Sequence, residues 1–316
     1  MAQHALSANF SYFFSRINPS DSFQRSASRE HQTITSLIEA SNGLARELSP
    51  KCFLQGSYKQ ETAIYTINDV DIVVLCCELN NPVVPGSLGS LYSKTWTRDM
   101  IFNTIAAPLL NDGRYRDKVK YHNGSMCIKV DLGIKIEILP VVYKTGNSDP
   151  AIEPFRLYRP EKQLWEDGYA RYHQTWLSFK NKSISGNFIP SIKVLKHLRS
   201  LLGLQVVSFH IECLLFRLPD HIFSGSPADY ITNVLYAIAS IPAATWYGMP
   251  IKTPCGERDL FTSSEWDYTG WGNFHKNVVT WSNIAQLANQ ETDRNKAIGY
   301  WKILLGNDFF PYQVTQ

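Results

Sequence analysis

The stretch LQGSYKQETAIYTINDVDIVVL, residues 54–75, sets Gly56-Ser57 between a short apolar run and a polar turn, then sets Asp69 and Asp71 at the mouth of a longer apolar run. Side chains two positions apart on a strand project from one face, so the two carboxylates converge. Like charges held that close repel unless a cation lies between them. An oxygen-only donor set suits magnesium, which keeps several waters and binds through a few carboxylates plus substrate phosphates. At a strand-to-helix turn, Gly56 and Ser57 offer backbone N–H groups and a small hydroxyl to phosphate oxygens, and glycine lets the backbone come close. Either pair alone more often marks a turn or a solvated strand end; the combination carries the reading.

Outward from this block, Cys52–Leu54 reads as a strand, the residues through Thr62 as a turn or short helix, and Ile72–Cys77 as a strand. Upstream, Ile34, Leu37, Ile38, Leu44 and Leu48 recur at helical spacing. They predict one amphipathic helix from Ser20 to about Leu48, with Asn18-Pro19-Ser20 as its start and Pro50 as its stop. Downstream, the Pro and Gly residues of Asn80 to Gly89 predict a loop, and Trp96 to Leu110 a helix. Strands over Ser125–Leu132 and Ile134–Val142 flank Gly133. The second alternates, with Ile134, Ile136 and Ile138 on one face and Lys135 and Glu137 on the other.

Beyond about Trp165 the pattern turns helical: Tyr169–Phe179, Ile189–Leu202, Val207–Leu218, Pro227–Ala239, Asn273–Asn289 and Thr292–Leu305. The expected fold class is α+β, a mixed β-sheet with flanking helices followed by an all-α C-terminal lobe. The expected division is residues 1–180 and 181–316.

Composition sets the bounds. The chain has 316 residues, 44% hydrophobic and 19% charged, which is ordinary for a globular protein and long enough for two lobes. A formal charge of +3 is too small for a protein that coats nucleic acid. The six cysteines, Cys52, Cys76, Cys77, Cys127, Cys213 and Cys255, show no CxxC or zinc-ligand spacing and read as reduced and structural. The opening residues lack the pattern of a signal or transit peptide. The apolar run Leu201–Leu218 is interrupted by Gln205, Ser208, His210, Glu212 and Arg217, so no membrane span is expected and a cytoplasmic location is.

As a whole, residues 54–75 resemble the signature of the DNA polymerase beta nucleotidyltransferase superfamily. Thr62 and Ile64 add a likeness to its cGAS/DncV-like branch (CD-NTases), bacterial relatives of cyclic GMP-AMP synthase and oligoadenylate synthase. The resemblance implies a third carboxylate on a neighbouring strand, usually an Asp followed shortly by Pro. Glu137 in IKIEILPVV takes that place, two residues before Leu139-Pro140 and with Glu where the family has Asp. Asp131, on a strand without the following Pro, ranks second. Without the signature, Glu137 would read as a solvated sheet residue paired with Lys135.

The resemblance continues to about residue 311. On Ile189–Leu202, Ile192, Leu195, Leu198 and Leu202 form an apolar stripe opposite Lys193, Lys196, His197 and Ser200. A plain solvated face would look the same, but the resemblance implies a lysine here that reaches the triphosphate, with Lys196 the best fit. SFHIE, Ser208 to Glu212, resembles the family's Ser-aromatic-His-Leu-Glu element, which implies that Ser208 touches phosphate and Phe209 stacks on the base. Core packing is the alternative for Phe209. Ala297, Trp301 and LLGNDFFP are similar to the family's closing helix and tail.

The fold thus implied is a polymerase-beta-like nucleotidyltransferase lobe plus a helical lobe. Asp69, Asp71 and Glu137 would be the catalytic residues and the ligands of two Mg²⁺ ions, with Mn²⁺ able to substitute. Gln55, Gly56, Ser57, Lys196, Ser208 and Phe209 would bind nucleotide. The implied substrates are nucleoside triphosphates: ATP, with GTP or a pyrimidine triphosphate beside it. The implied product is a cyclic oligonucleotide second messenger, released with pyrophosphate and read by a downstream effector in bacterial antiphage (CBASS) signalling, with no nucleic acid or membrane required. The alternatives are a toxin-like transferase that modifies RNA or protein, and a catalytically silent nucleotide-binding scaffold.

Overall fold

A computed structural model describes residues 6–41, 47–80, 96–122, 125–143, 153–160 and 162–314. By its internal contacts the chain forms two units. One comprises Ser20–Gln60 and Ile67–Gln174; the other comprises the residues up to Pro19, Glu61–Thr66 and Thr175–Gln316. The second unit takes the chain from Thr175 onward, together with two N-terminal pieces.

The first unit is built on a seven-stranded sheet. Its strands are β1 (Pro50–Gln55), β2 (Asp69–Asn80), β3 (Val119–Lys120), β4 (Ile128–Asp131), β5 (Lys135–Tyr143), β6 (Phe155–Arg159) and β7 (Leu164–Gly168). The order runs β1-β2-β5-β4-β3, with β6 paired to β5 and β7 to β6. Among the described residues, β2 and β5 pair in parallel and the other pairings are antiparallel.

One face of this sheet is apolar by alternation. Val70, Ile72, Val74, Ile128, Val130, Ile136 and Ile138 form one core with Ala27, Ile34 and Ile38 of α2 (Asp21–Glu39) and Ile101, Phe102 and Ile105 of a later helix, Arg98–Asn111. Ser20 caps α2, its hydroxyl accepting from the Phe23 N–H. The helix ends at Glu39, short of the expected Leu48, whose neighbours 42–46 lie outside the described residues. Past Asn80, the loop expected to Gly89 also lies outside them.

The short helix α3 is Gly56–Lys59, and Arg98–Asn111 is α4. Strands β6 and β7 fall where no strand is legible in the sequence. They are short and carry charge, and ion pairs join Arg156 to Asp167 and Arg159 to Glu166 across them.

The second unit is helical. It contains α1 (Ser7–Ile17), α6 (Phe188–Leu201), α7 (Ser208–Phe216), α8 (Pro227–Ala239), α9 (Ala243–Tyr247), α10 (Tyr268–Gln290) and α11 (Arg294–Leu305), and α5 (Ala170–Ser183) leads the chain into it. The expected helices are all present within a few residues, and side-chain caps fix three starts: Ser226 with Asp229, Asp267, and Asp293. Helix α1 adds an element unread in the sequence. Its Phe10 and Phe13 bury completely or nearly so, with Phe10 edge-on to Trp301 and Phe310 at 5.0 Å each, so the N-terminal helix seals the C-terminal end of this unit. Burial of each such ring is worth roughly 1.5–3 kcal/mol.

Candidate active site

The register of the sheet brings the signature acids together. Across four strands, Gln55 of β1 lies opposite Asp71 of β2, Asp71 opposite Glu137 of β5, and Glu137 opposite Lys129 of β4. One step along, Asp69 lies opposite Lys135 and Lys135 opposite Asp131. Because neighbouring strands run about 4.8 Å apart, Glu137 is the near neighbour of Asp71, whereas Asp131 stands two strands from Asp69 with Lys135 between them. Asp131 also accepts the Gly133 N–H at 3.3 Å, which fixes its carboxylate in the turn between β4 and β5. The register favours Glu137 over Asp131 as the third acid.

Gly56 begins α3 with φ +72°. A Cβ built there would lie 1.9 Å from Asp71 Oδ2, so the Asp71 carboxylate rests against the bare glycine backbone. Glycine is therefore required twice over, for the left-handed conformation and for this contact. Gln55 closes β1 just before it, and Ser57 is half-buried with no hydrogen-bond partner among the described residues.

The acid cluster is electrostatically loaded. Burial first, then Asp69 and Glu137, push the Asp71 carboxyl up to about 7. Glu137 pairs with Lys129, not with Lys135: Lys129 Nζ lies 2.9 Å from Glu137 Oε1, and the pairing raises the Lys129 ammonium above its ordinary value. Burial first, then the nearby Glu137 carboxylate, push the Cys127 thiol up to about 11. In this arrangement the ligand atoms of Asp69, Asp71 and Glu137 do not all lie within 4.8 Å of one another. The donor set still fits a hard divalent cation. It holds oxygens only, carries more negative charge than Lys129 offsets, and includes an Asp71 whose ionisation a cation would favour.

In the helical unit, the polar stripe of α6 is not a plain solvated face: Lys196 and His197 are buried, and Lys193 and Ser200 are half-buried. Lys196 is 2% exposed. Its ammonium donates to Glu212 Oε1 at 2.6 Å, Thr62 Oγ1 at 2.9 Å and Thr62 O at 3.1 Å, and the Thr62 hydroxyl donates to the same Glu212 oxygen at 2.7 Å. Three acceptors take all three ammonium donors. His197 is buried too, its Nε2 2.8 Å from Leu305 O. Lys193 donates to Asn18 Oδ1 at 2.8 Å.

Ser208 opens α7, and its hydroxyl accepts from Arg199 Nη1 at 3.0 Å. Phe209 is half-buried against the helical core, with the Arg258 guanidinium 5.4 Å from its ring centroid. Sequence reasoning missed Arg199, Lys129 and Cys127. For Lys129 the strand alternation gives the register position, opposite Glu137 once the Gly133 turn is granted, but not the choice of partner.

The profile of the Second Messenger Oligonucleotide or Dinucleotide Synthetase domain matches residues 5–181. The chain belongs to this synthetase family. It is therefore a nucleotidyltransferase of the cyclic-oligonucleotide-synthase kind, with the α+β fold that the signature implied. Among relatives of the synthetase, the cyclic UMP-AMP synthase of Rhodothermus marinus is 26% identical over 202 residues, 59% of this chain and 69% of that one. The cyclic AMP-AMP-AMP synthase of an Acinetobacter strain is 25% identical over 309 residues, 93% of this chain and 82% of that one. The solved structure of the Rhodothermus marinus CdnE c-UMP-AMP synthase with Apcpp and Upnpp superposes at a TM-score of 0.65 and 22% identity, covering 87% of this chain and 96% of the other. Among the described residues, no helix is long and apolar enough to cross a membrane.

Proposed function

We propose that this synthetase uses Asp69, Asp71 and Glu137 to hold two magnesium ions, or manganese in their place, while it joins nucleoside triphosphates into a cyclic oligonucleotide and releases pyrophosphate. The carrying observation is the row Gln55, Asp71, Glu137, with Asp69 one step away and Gly56 packed against Asp71. When bound, the metal pair would lower the pKa of the acceptor ribose hydroxyl and neutralise charge on the donor triphosphate. Asp69 and Asp71 would hold the ions, and Glu137 would join them after giving up Lys129. Ser57, with the backbone of Gly56 and Gln55, would orient the phosphates for in-line attack by the acceptor oxygen on the α-phosphorus, whose bond to the pyrophosphate oxygen breaks. Ser208 and Phe209 are assigned the phosphate and base contacts of the helical unit.

Relatives named for cyclic UMP-AMP and cyclic AMP-AMP-AMP support ATP as one substrate, with a second nucleotide drawn from the purines or pyrimidines. A cytoplasmic setting, antiphage signalling and an effector that binds the product complete the reading by analogy of family. The test is incubation of the purified chain with each nucleoside triphosphate and Mg²⁺ or Mn²⁺, followed by mass analysis, beside an Asp69→Ala/Asp71→Ala double variant. Phosphatase-resistant cyclic products lost in the variant are expected. Label transferred to RNA or protein, or triphosphate bound with no pyrophosphate released, would overturn it.

A further inference from the structure

Helices α2 and α4 meet the sheet and each other with different stripes. Their inner stripes carry Ile34, Ile38, Ile101 and Phe102, which close the core against Val70 and Ile72. Their facing stripes carry Leu37 and Ala40 on α2 and Ala107 and Pro108 on α4, and a cavity of about 880 Å³ lies between them. Sites for small molecules run to roughly 300–1,000 Å³. The residues lining this cavity belong to the sheet unit, and alternation along β2 turns Asp69 and Asp71 to the sheet's other face.

One polar group in the wall of this cavity is unmet. Thr104 is 8% exposed and lines the cavity, yet its hydroxyl has no partner among the described residues. Pro108, one turn further along α4, has no N–H to give the Thr104 carbonyl. A donor and an acceptor thus stand together beside an apolar stripe, and a polar group withdrawn from water and left unpaired costs about 1–3 kcal/mol until an occupant meets it.

Charge gives the cavity a direction. It shares Thr33 and Arg114 with a second cavity of about 360 Å³, whose charged lining is Arg29, Glu30, Arg114 and Lys118. Three cations face one acid there, and the acid is engaged: Glu30 Oε1 takes Arg29 at 2.8 Å and Oε2 takes the Tyr115 hydroxyl at 3.1 Å. Arg114 forks onto Asp112 at 2.6 and 3.0 Å, whereas the Lys118 ammonium has no partner among the described residues. An anion arriving at this end meets a surplus of positive charge. We propose that the groove between α2 and α4 is a second ligand site, across the sheet from the acid row, for a phosphate monoester with an apolar body. The body lies along Leu37, Ala40, Ala107 and Pro108, an oxygen beside it meets the Thr104 hydroxyl, and the phosphate meets Lys118 and the two arginines.

The experiment is calorimetry on the full chain, with thermal unfolding beside it. The probes are octanoylglycerol phosphate, octanoylglycerol and glycerol phosphate, each kept below the concentration at which it forms micelles. Octanoylglycerol phosphate is expected to bind at about 1 mM or tighter, and each of the other two about fivefold more weakly or worse. Lys118→Gln is expected to weaken octanoylglycerol phosphate about fivefold, toward the affinity of octanoylglycerol, which the substitution leaves unchanged. Thr104→Val removes the hydroxyl at nearly constant volume and is expected to cost about two- to fivefold. Ala107→Phe fills the groove and is expected to abolish binding of both acylated probes while the chain unfolds near the wild-type temperature. Failure of octanoylglycerol phosphate to bind overturns the inference, as does wild-type affinity in Ala107→Phe. Should Ala107→Phe unfold early, the exposed Lys118 decides: octanoylglycerol phosphate bound as tightly by Lys118→Gln as by the wild type overturns the inference too.

Discussion

Two lysine–glutamate pairs in this chain share a chemistry and differ in setting. Lys129 and Glu137 meet at 2.9 Å across neighbouring strands with side chains 58% and 28% exposed, whereas Lys196 and Glu212 meet at 2.6 Å with 2% and 5% exposed. Water screens the first pair, whose net worth is at most about 1 kcal/mol. Glu137 can therefore leave its lysine without threatening the fold. The second pair cannot open in this way, because loss of either partner strands a charge away from water. One pair is a latch on the reactive face and the other a bolt in the helical unit.

The largest expected effect tests the bolt. Lys196→Met and Glu212→Leu, taken singly, should each cost about 3–5 kcal/mol in chemical denaturation, and the double variant should regain most of that loss because no charge is left alone. Strictly additive losses would show that the two residues act separately and would break the comparison.

The middle effect tests the charge on the latch side. Burial and two neighbouring acids raise Asp71 to about 7, so without metal the folded chain holds a proton that the unfolded chain gives up in the ordinary carboxylate range. Stability from this group is fully present below that range and falls as pH rises toward 7. Asp71→Asn should raise the metal-free unfolding temperature at pH 8 and leave it nearly unchanged near pH 4. No gain at pH 8 would mean that Lys129 already neutralises the acid row.

The smallest effect tests the latch itself. Lys129→Met should change stability by less than about 1 kcal/mol. It should also tighten Mn²⁺ binding a few-fold in a paramagnetic resonance titration, since the ion no longer competes with an ammonium for Glu137. Weaker binding would mean that Lys129 orients Glu137 for the metal instead of competing with it.

Much of this arrangement is legible in the sequence alone. Strand alternation put Ile134, Ile136 and Ile138 on one face and Glu137 on the other, and the sheet keeps them so. The Asp69 and Asp71 spacing likewise survives, because a period of two is fixed by the pleat and not by packing. Helix α1 was readable and missed, since Phe10, Phe13 and Ile17 repeat at helical spacing. Partner choice was not readable. Nothing in a single sequence tells Glu137 to take Lys129 across the strand in place of Lys135, its neighbour two residues back, and nothing tells Lys196 to spend its donors on Thr62, 134 residues away. Such pairings depend on where tertiary packing brings distant backbone, and burial then decides which ones are strong.

Residues 61–66 leave the sheet unit in the middle of the signature and are counted with the helices before the chain returns at Ile67. An engineer who trades front halves between relatives at position 180 would thus separate Thr62 from Lys196 and Glu212. A working chimera has to carry this six-residue excursion together with the back half, or recruit a matching lysine and glutamate with the front. Lineages that exchange lobes by recombination face the same constraint, which ties the inheritance of the loop to that of the helices.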